Sequence, residues 1–230
     1  MIGMTRFVKW TVLVAVGLAP GPAFGPPPAR AQAPALAPAR KDADDLLMRI
    51  WNGIQEAQTK NTTGCGTLVE TRTSKLLRVP MVFRGRFCAS GMDKFFLEYS
   101  DPEPVRLIFN RDYLNVTTGK SGKTTEVMKI GGHVKRAQAF FSQEDSIRNL
   151  KEAFAISAKE TPGTYEMRFV PRSQKFKQKL NYLVVTLNRD SFLLRALEID
   201  GKSGVNSVFR IQIESLNIRL GEELFKVYKQ

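Results

Sequence analysis

Apolar residues fall at every second position along much of this chain after about residue 65. In the run from Phe95 through Leu97 to Tyr99, for example, the apolar positions are two residues apart. A period of two is typical of strands that bury one face. Similar runs cover residues 79–87, 95–99, 105–109, 165–169, 193–199 and 209–213.

Turn-forming residues separate these runs. They are Asp101-Pro102, the segment Gly119 to Gly122, Pro162-Gly163, residues 188–190 and Asp200-Gly201. Strands joined by short turns are usually antiparallel neighbours. The pattern therefore predicts an antiparallel meander of about ten strands.

Two segments follow a helical period instead. Asp42 is a candidate N-cap for a helix that ends near Lys60. Its apolar stripe would contain Leu47, Ile50, Trp51, Ile54 and Ala57. Residues 131–154 interrupt the meander and predict two short amphipathic helices. The first would present Val134, Ala137, Phe140 and Phe141, and the second Ile147, Leu150 and Phe154.

The fold class predicted is mainly β with helices (α+β), an antiparallel sheet curled into an unclosed barrel or half-barrel. The apolar face of such a sheet must be covered, here by the N-terminal helix and the helices of residues 131–154. That cover is either fixed core or a lid that lifts from a hydrophobic cavity, and both readings remain open. Candidate cavity residues are Phe83, Phe87, Phe95, Leu97, Leu107, Phe109, Phe169, Phe209 and Ile211. Candidate lid residues are Phe140, Phe141, Ile147, Leu150 and Phe154.

The first 31 residues have the features of a secretory signal. Arg6 and Lys9 precede a short apolar run at residues 11–19, and Ala29-Arg30-Ala31 fits a cleavage site. The apolar run is too short to span a bilayer. We therefore predict a signal peptide at 1–31, a disordered Pro/Ala-rich linker at 32–41 and one domain at 42–230. No cysteine follows the apolar run closely, so we expect a soluble exported protein without a lipid anchor.

The binding partners that the formal net charge of +13 predicts depend on whether the chain is exported. A basic chain suggests nucleic acid, but an exported one more plausibly meets lipid headgroups or acidic proteins. A basic stretch contains Arg168, Arg172, Lys175, Lys177 and Lys179. It is either an ordinary solvated face or a docking surface for an anionic membrane or an acidic transporter domain.

Candidate chemistry is sparse. Cys65 and Cys88 are the only cysteines, and an oxidising compartment permits a disulfide between them. Their midpoint lies near a predicted turn, but strict alternation puts them on different faces unless a bulge intervenes. His133 is the only histidine, which argues against a catalytic triad or a zinc site. We expect no enzyme activity, no cofactor and no metal.

Several short motifs, in this order, resemble the LolA family of outer-membrane lipoprotein carriers. They are Phe95, Tyr99 and Pro102, then Phe169-Val170-Pro171-Arg172, then Asp200-Gly201-Lys202-Ser203-Gly204, and finally Asn217, Leu220 and Phe225. The resemblance covers about residues 42–228. It implies a monomeric periplasmic carrier that takes acylated lipoproteins or lipids from an inner-membrane ABC exporter. The carrier would pass them to an outer-membrane acceptor.

The chain also departs from that family. The family's Arg-Pro pair, whose arginine holds the lid, is missing from the strand that begins at Gly85. Control of the lid would then depend on Arg84 or Arg86, or be absent. The alternatives are a carrier of another hydrophobic molecule, such as a glycolipid or a polyene, and a lipid or lipoprotein sensor that regulates an envelope stress response.

Overall fold

A computed structural model describes residues 37–119, 124–130 and 146–227. The elements are helix α1 (Ala37–Lys60), strands β1 (Thr63–Ser74), β2 (Met81–Ser90), β3 (Lys94–Asp101), β4 (Val105–Asn110), β5 (Tyr113–Thr118) and β6 (Thr124–Lys129), helix α2 (Ser146–Ala153), strands β7 (Phe154–Thr161) and β8 (Thr164–Pro171), helix α3 (Gln174–Lys177), strands β9 (Leu180–Asn188), β10 (Leu194–Gly201) and β11 (Val205–Leu216), and a 3-10 helix (Glu222–Phe225). The predicted signal peptide, Phe140, Phe141 and His133 lie outside the described residues.

All eleven strands form one antiparallel sheet. Their order is β6-β5-β4-β3-β2-β1-β11-β10-β9-β8-β7. Within the described strands no ladder joins β6 to β7, so the sheet is an open half-barrel. This confirms the predicted fold class, with eleven strands where about ten were expected. Helix α2 belongs to the connection between the two edge strands.

Turn chemistry explains why consecutive strands pair. Gly163 between β7 and β8 has φ +75°, and Gly204 between β10 and β11 has φ +78°. Residues with a β-carbon rarely adopt this left-handed region, so glycine permits both tight reversals. The period-two runs therefore become neighbouring strands whose apolar residues share one face.

The apolar face of the sheet, called here the inner face, carries α1. On the half formed by β7–β10, Ile50 and Trp51 of α1 pack with Tyr165, Met167 and Phe169 of β8. On the other half, the buried inner residues of β1–β6 form a second cluster. Its buried members are Leu68, Phe83, Leu97, Tyr99, Val105, Leu107, Phe109, Leu114, Val116 and Ile130. Ile211 of β11 packs against both clusters and joins them.

Two predicted helix boundaries are wrong. Helix α1 begins at Ala37, so Asp42 is not its N-cap. Helix α2 ends at Ala153, and Phe154 is the first residue of β7. The apolar stripe of α1 is confirmed, since Leu47, Ile50, Trp51 and Ala57 are buried.

The outer face is mostly polar. Glu98 pairs with Arg86 at 2.8 Å and with Arg106 at 2.6 Å across three adjacent strands. Partial burial raises the pKa of Glu98, but hydrogen bonds from the two arginines outweigh it and hold that pKa below its usual value. The exception on this face is an apolar patch under the 3-10 helix, where Phe225 covers Phe96 and Ile108.

A disulfide joins Cys65 of β1 to Cys88 of β2, as expected. The two residues are direct partners in the ladder, and their Cα atoms are 4.1 Å apart. The predicted bulge between them is wrong, because the β1–β2 register is unbroken and Val69 pairs with Arg84 on the outer face as well. The register shift lies instead in the β1–β11 ladder, where Cys65 pairs with Ser215 and Gly66 with Ile213, so the extra residue is Glu214 of β11.

Candidate ligand-binding cavities

Two neighbouring cavities lie along the inner face of the sheet. The larger has a volume of about 550 Å³ and the smaller of about 350 Å³. Both fall within the range typical of small-molecule sites. Some residues line both cavities, so the two cavities adjoin each other. These shared residues are Phe87, Ala89, Gly91, Leu194, Leu197, Ile199 and Ile213.

The larger cavity lies between α1 and strands β8–β10. Trp51 and Ile54 of α1 face Met167, Phe169 and the inner residues of β9 across it. Its polar lining is concentrated at one end. There, the last turn of α1 and the start of β1 contribute Gln58, Asn61, Thr62 and Thr63. The rest of its wall is apolar, which suits a hydrocarbon more than a polar molecule.

The smaller cavity lies over strands β1–β4, β10 and β11. Phe95, Leu107 and Phe109 contribute to its wall on the side of β3 and β4. Arg72 of β1 and Lys94 of β3 are the charged residues among its lining. Lys94 is ion-paired with Glu222 of the 3-10 helix at 2.6 Å.

Most predicted cavity residues lie on these walls. Phe87, Phe95, Leu97, Leu107, Phe109, Phe209 and Ile211 line the smaller cavity. Phe169 lines the larger one, together with Phe87. Phe83 lines neither, because its ring packs beneath the guanidinium of Arg72 at 4.2 Å and against Tyr99. It is a buried core residue and not part of either wall.

The described lid candidates are packed against the sheet. Leu150 of α2 and Phe154 of β7 line the larger cavity and are almost fully buried. The ring of Phe154 contacts Phe176 of α3 with centroids 4.9 Å apart, and Ile147 is partly buried against the same cluster. Lys151 further ties α2 to α1 through an ion pair with Asp44 at 2.7 Å. In this structure α2 covers one side of the larger cavity.

A buried polar network stands on the otherwise apolar inner face. Glu70 is fully buried and accepts two hydrogen bonds from the guanidinium of Arg72, one from Nε and one from Nη2. The hydroxyl of Tyr99 donates to Glu70 Oε2 at 2.6 Å. A buried carboxylate needs such partners, since an unpaired charge there is very costly.

The network also affects the ionisation of Tyr99. Burial, together with the neighbouring Glu70 carboxylate, raises the pKa of Tyr99 well above its usual value. Tyr99 therefore remains a neutral donor across the physiological range. Because Arg72 lines the smaller cavity, this network adds a charged group to its wall besides Lys94.

The sequence reasoning missed this network. The available signal was the spacing of Glu70 and Arg72, which are two residues apart in a strand and so share a face with Leu68.

The two arginines proposed for lid control, Arg84 and Arg86, do not lie on the inner face. Arg84 pairs with Asp101, Arg86 pairs with Glu98, and both side chains are exposed on the outer face. Neither is placed to hold a cover over the inner face.

No described helix is long and apolar enough to cross a membrane. Among residues 37–119, 124–130 and 146–227, no three His, Cys, Asp or Glu side chains are grouped to hold a metal ion.

No family model matches this sequence, and no curated protein matches it either. The fold is similar to that of several solved structures. A LolA superfamily protein from Nitrosomonas europaea is 10% identical, over 78% of this chain and 97% of that one, with a TM-score of 0.39. The Mycobacterium tuberculosis lipoprotein LppX is 12% identical, over 78% and 99%, with a TM-score of 0.41.

A third similar structure is the MucA/MucB complex of Pseudomonas aeruginosa. It is 14% identical over 81% of this chain and 61% of that one, with a TM-score of 0.43. The family named from the sequence motifs thus occurs among the similar structures. All three TM-scores are below 0.5, so these similarities carry no argument about the function of this chain.

Proposed function

We propose that this protein is an exported carrier that shields acyl chains in the contiguous cavities of its inner face. The observation that carries the proposal is the shared apolar wall of two cavities of about 550 and 350 Å³. A site of this shape and chemistry suits a flexible hydrocarbon better than a rigid polar substrate.

The energetics of such a site are adequate for a carrier. Each buried methylene contributes about 0.8 kcal/mol, so ten methylenes contribute about 8 kcal/mol. Before the costs of ordering the chain, this corresponds to a dissociation constant of about 1 µM. Binding of that strength permits release to an acceptor, as transfer requires.

The finer proposal is transfer of acylated lipoproteins from the inner to the outer membrane. It rests on the secretory signal and on the order of the family motifs in the sequence. Under this proposal the protein works in the periplasm, performs no covalent chemistry, and receives its cargo from an inner-membrane exporter.

The direct test is mass spectrometry of material that co-purifies with the exported protein. Acylated peptides would support lipoprotein transfer. Free lipids would support a carrier of another hydrophobic molecule. An empty protein that also fails to bind a fluorescent fatty acid would overturn the proposal.

A matched pair of variants tests the place of binding. Ala89 lines both cavities, so Ala89→Phe should fill their junction and weaken binding of a fluorescent fatty acid by about tenfold or more. Ala196 lies on the outer face of β10, next to the inner-facing Leu197. Ala196→Phe makes the same change there and should leave binding unchanged. Equal effects of the two variants would contradict an inner-face site.

A further inference from the structure

The tip of the β1–β2 hairpin, residues 75–80, carries the most exposed large apolar side chains among the described residues. Leu76 is 92% exposed and Val79 is 70% exposed. Leu77, between them, is also exposed. Such side chains do not contribute to either inner-face cluster. A group of neighbouring exposed apolar side chains is a feature of many interaction sites.

The tip projects beyond its neighbouring strand. In the described ladder, β3 pairs with β2 only from Arg84 onward, so residues 81–83 of β2 extend past the end of β3. Three strand residues correspond to roughly 10 Å. The turn itself is held by hydrogen bonds from the backbone N–H groups of Leu76 and Leu77 to Ser74. The apolar side chains are therefore presented on a defined turn.

Basic residues alternate with these apolar ones. Lys75 precedes Leu76, and Arg78 lies between Leu77 and Val79. Both are exposed, and neither forms an ion pair with a carboxylate in the described part of the chain. The tip thus combines two features of surfaces that bind anionic membranes, apolar side chains that enter the interface and cations that meet the headgroups.

The same end of the sheet carries further positive charge. Ser74 pairs with Val205, so the β10–β11 turn with Lys202 lies at the end where the hairpin turns. Lys202 N–H donates to the carbonyl of Lys179, which brings the corner between β8 and β9 to this end as well. That corner includes the exposed Arg172 and Lys177. Part of the basic stretch found in the sequence therefore lies beside the hairpin end of the sheet.

We propose that the hairpin tip docks on an anionic phospholipid bilayer. Leu76 and Val79 enter the interface between headgroups and acyl chains, while Lys75 and Arg78 contact the headgroup phosphates. The bilayer is favoured over an acidic protein because the most exposed residues are apolar and the positive charge is spread along the end of the sheet. The proposal goes beyond the carrier function and does not depend on it.

The opposite end of the sheet offers a matched control. Residues 217–219 follow β11 beyond the pairing of Leu216 with Gly64, at the far end from the hairpin tip. Ile218 is exposed and apolar, and the neighbouring Arg219 is exposed and basic. The same substitutions can therefore be made at both ends.

The experiment is co-sedimentation of the protein with phosphatidylcholine vesicles, with and without one quarter phosphatidylglycerol. We expect binding only to the anionic vesicles. The double variant Leu76→Ser with Val79→Ser should lower the partition coefficient about tenfold or more. Arg78→Gln should lower it about fivefold and reduce its salt dependence. Ile218→Ser and Arg219→Gln should change neither.

Two further readouts make the result decisive. In the variant Leu76→Trp, vesicles of brominated anionic lipid should quench the added tryptophan, because it lies within the bilayer. All variants should keep the circular dichroism spectrum and the urea midpoint of the wild type, which report on folding without reference to the cavities. The proposal is overturned if the wild-type protein ignores anionic vesicles. It is also overturned if the serine variant binds as tightly as the wild type, or if the tip binds acidic proteins but no vesicles.

Discussion

The ring of Phe192 occupies the space that a β-carbon on Gly53 would need. A β-carbon built at Gly53 would lie 2.4 Å from the nearest ring carbons of Phe192, far inside van der Waals contact. Phe192 has φ +56° in the β9–β10 turn, and its ring also stacks on Tyr165 at 5.5 Å. This contact sets how closely α1 approaches the sheet, and α1 forms one wall of the larger cavity.

Gly53→Ala should therefore destabilise the protein. A glycine-to-alanine change within a helix normally stabilises by about 0.5–1 kcal/mol. Here the overlap with Phe192 should reverse the sign and reduce the free energy of unfolding by about 1–3 kcal/mol. Urea denaturation followed by circular dichroism measures this free energy.

Gly221 provides the control for that substitution. It has φ −71°, and a β-carbon there would meet nothing within 4 Å. Gly221→Ala should change the free energy of unfolding by less than about 0.5 kcal/mol. Equal losses in the two variants would show that the close approach of Phe192 is unimportant.

Breaking the buried pair of Glu70 and Arg72 on one side should be costly. Arg72→Met leaves the Glu70 carboxylate buried beside the Tyr99 hydroxyl without its cation, and Glu70→Leu removes the carboxylate partner of the buried Arg72. Each single variant should lose about 3–5 kcal/mol of unfolding free energy. The double variant should lose much less than the sum of the two, and denaturation of all four proteins forms the cycle. Additive losses would mean that the pair is not coupled.

Alkaline pH should destabilise the protein through Tyr99. Its pKa is raised in the folded state, so folding favours the neutral hydroxyl. The stabilisation is complete below the unfolded pKa near 10 and is lost as the pH rises above it. The variant Tyr99→Phe cannot ionise, so its free energy of unfolding should fall less steeply than that of the wild type above pH 10.

Tyrosinate absorbance gives an independent check on that prediction. The sequence contains five tyrosines. In the wild type, one of them should ionise only when the protein unfolds, and this late step should be absent from Tyr99→Phe. A late step that persists in the variant would assign it to another tyrosine.

Removal of the disulfide should affect stability and not binding. Cys65 and Cys88 are 23 residues apart, and a loop of that size gives about 3 kcal/mol of stabilisation in the chain-entropy model. Their side chains lie on the outer face, opposite the cavities. The double variant Cys65→Ser with Cys88→Ser should lose about that free energy of unfolding. It should keep its affinity for a fluorescent fatty acid at temperatures where it remains folded.

The spacing of the apolar residues predicted most of the strands. The strand runs around Phe95, Phe109, Phe169 and Phe209 lie where the alternation placed them, because a strand with one buried face has little freedom of register. The start of α1 was less readable. Asp42 is a good cap by residue type, but five preceding residues also join the helix.

The candidate site was only partly readable, because alternation identifies a face and not the volume left empty on it. Phe83 and Phe87 have the same parity on β2, yet Phe87 lines both cavities and Phe83 packs beneath Arg72. The two phenylalanines differ because Arg72 of β1 and Tyr99 of β3 pack against Phe83. Val69 lies on the outer face although it is apolar, and an apolar residue on a half-exposed face has no sequence signature of its own.

The absence of a ladder between β6 and β7 in the described sheet has a mechanical consequence. A closed barrel has a fixed circumference, since widening it would break a row of backbone hydrogen bonds. A sheet with two separate margins can flatten or curl through small changes in twist, with every ladder intact. The width of the half-barrel can therefore adapt to ligands with one acyl chain or several. Such a change costs little free energy, because no strand pairing is broken.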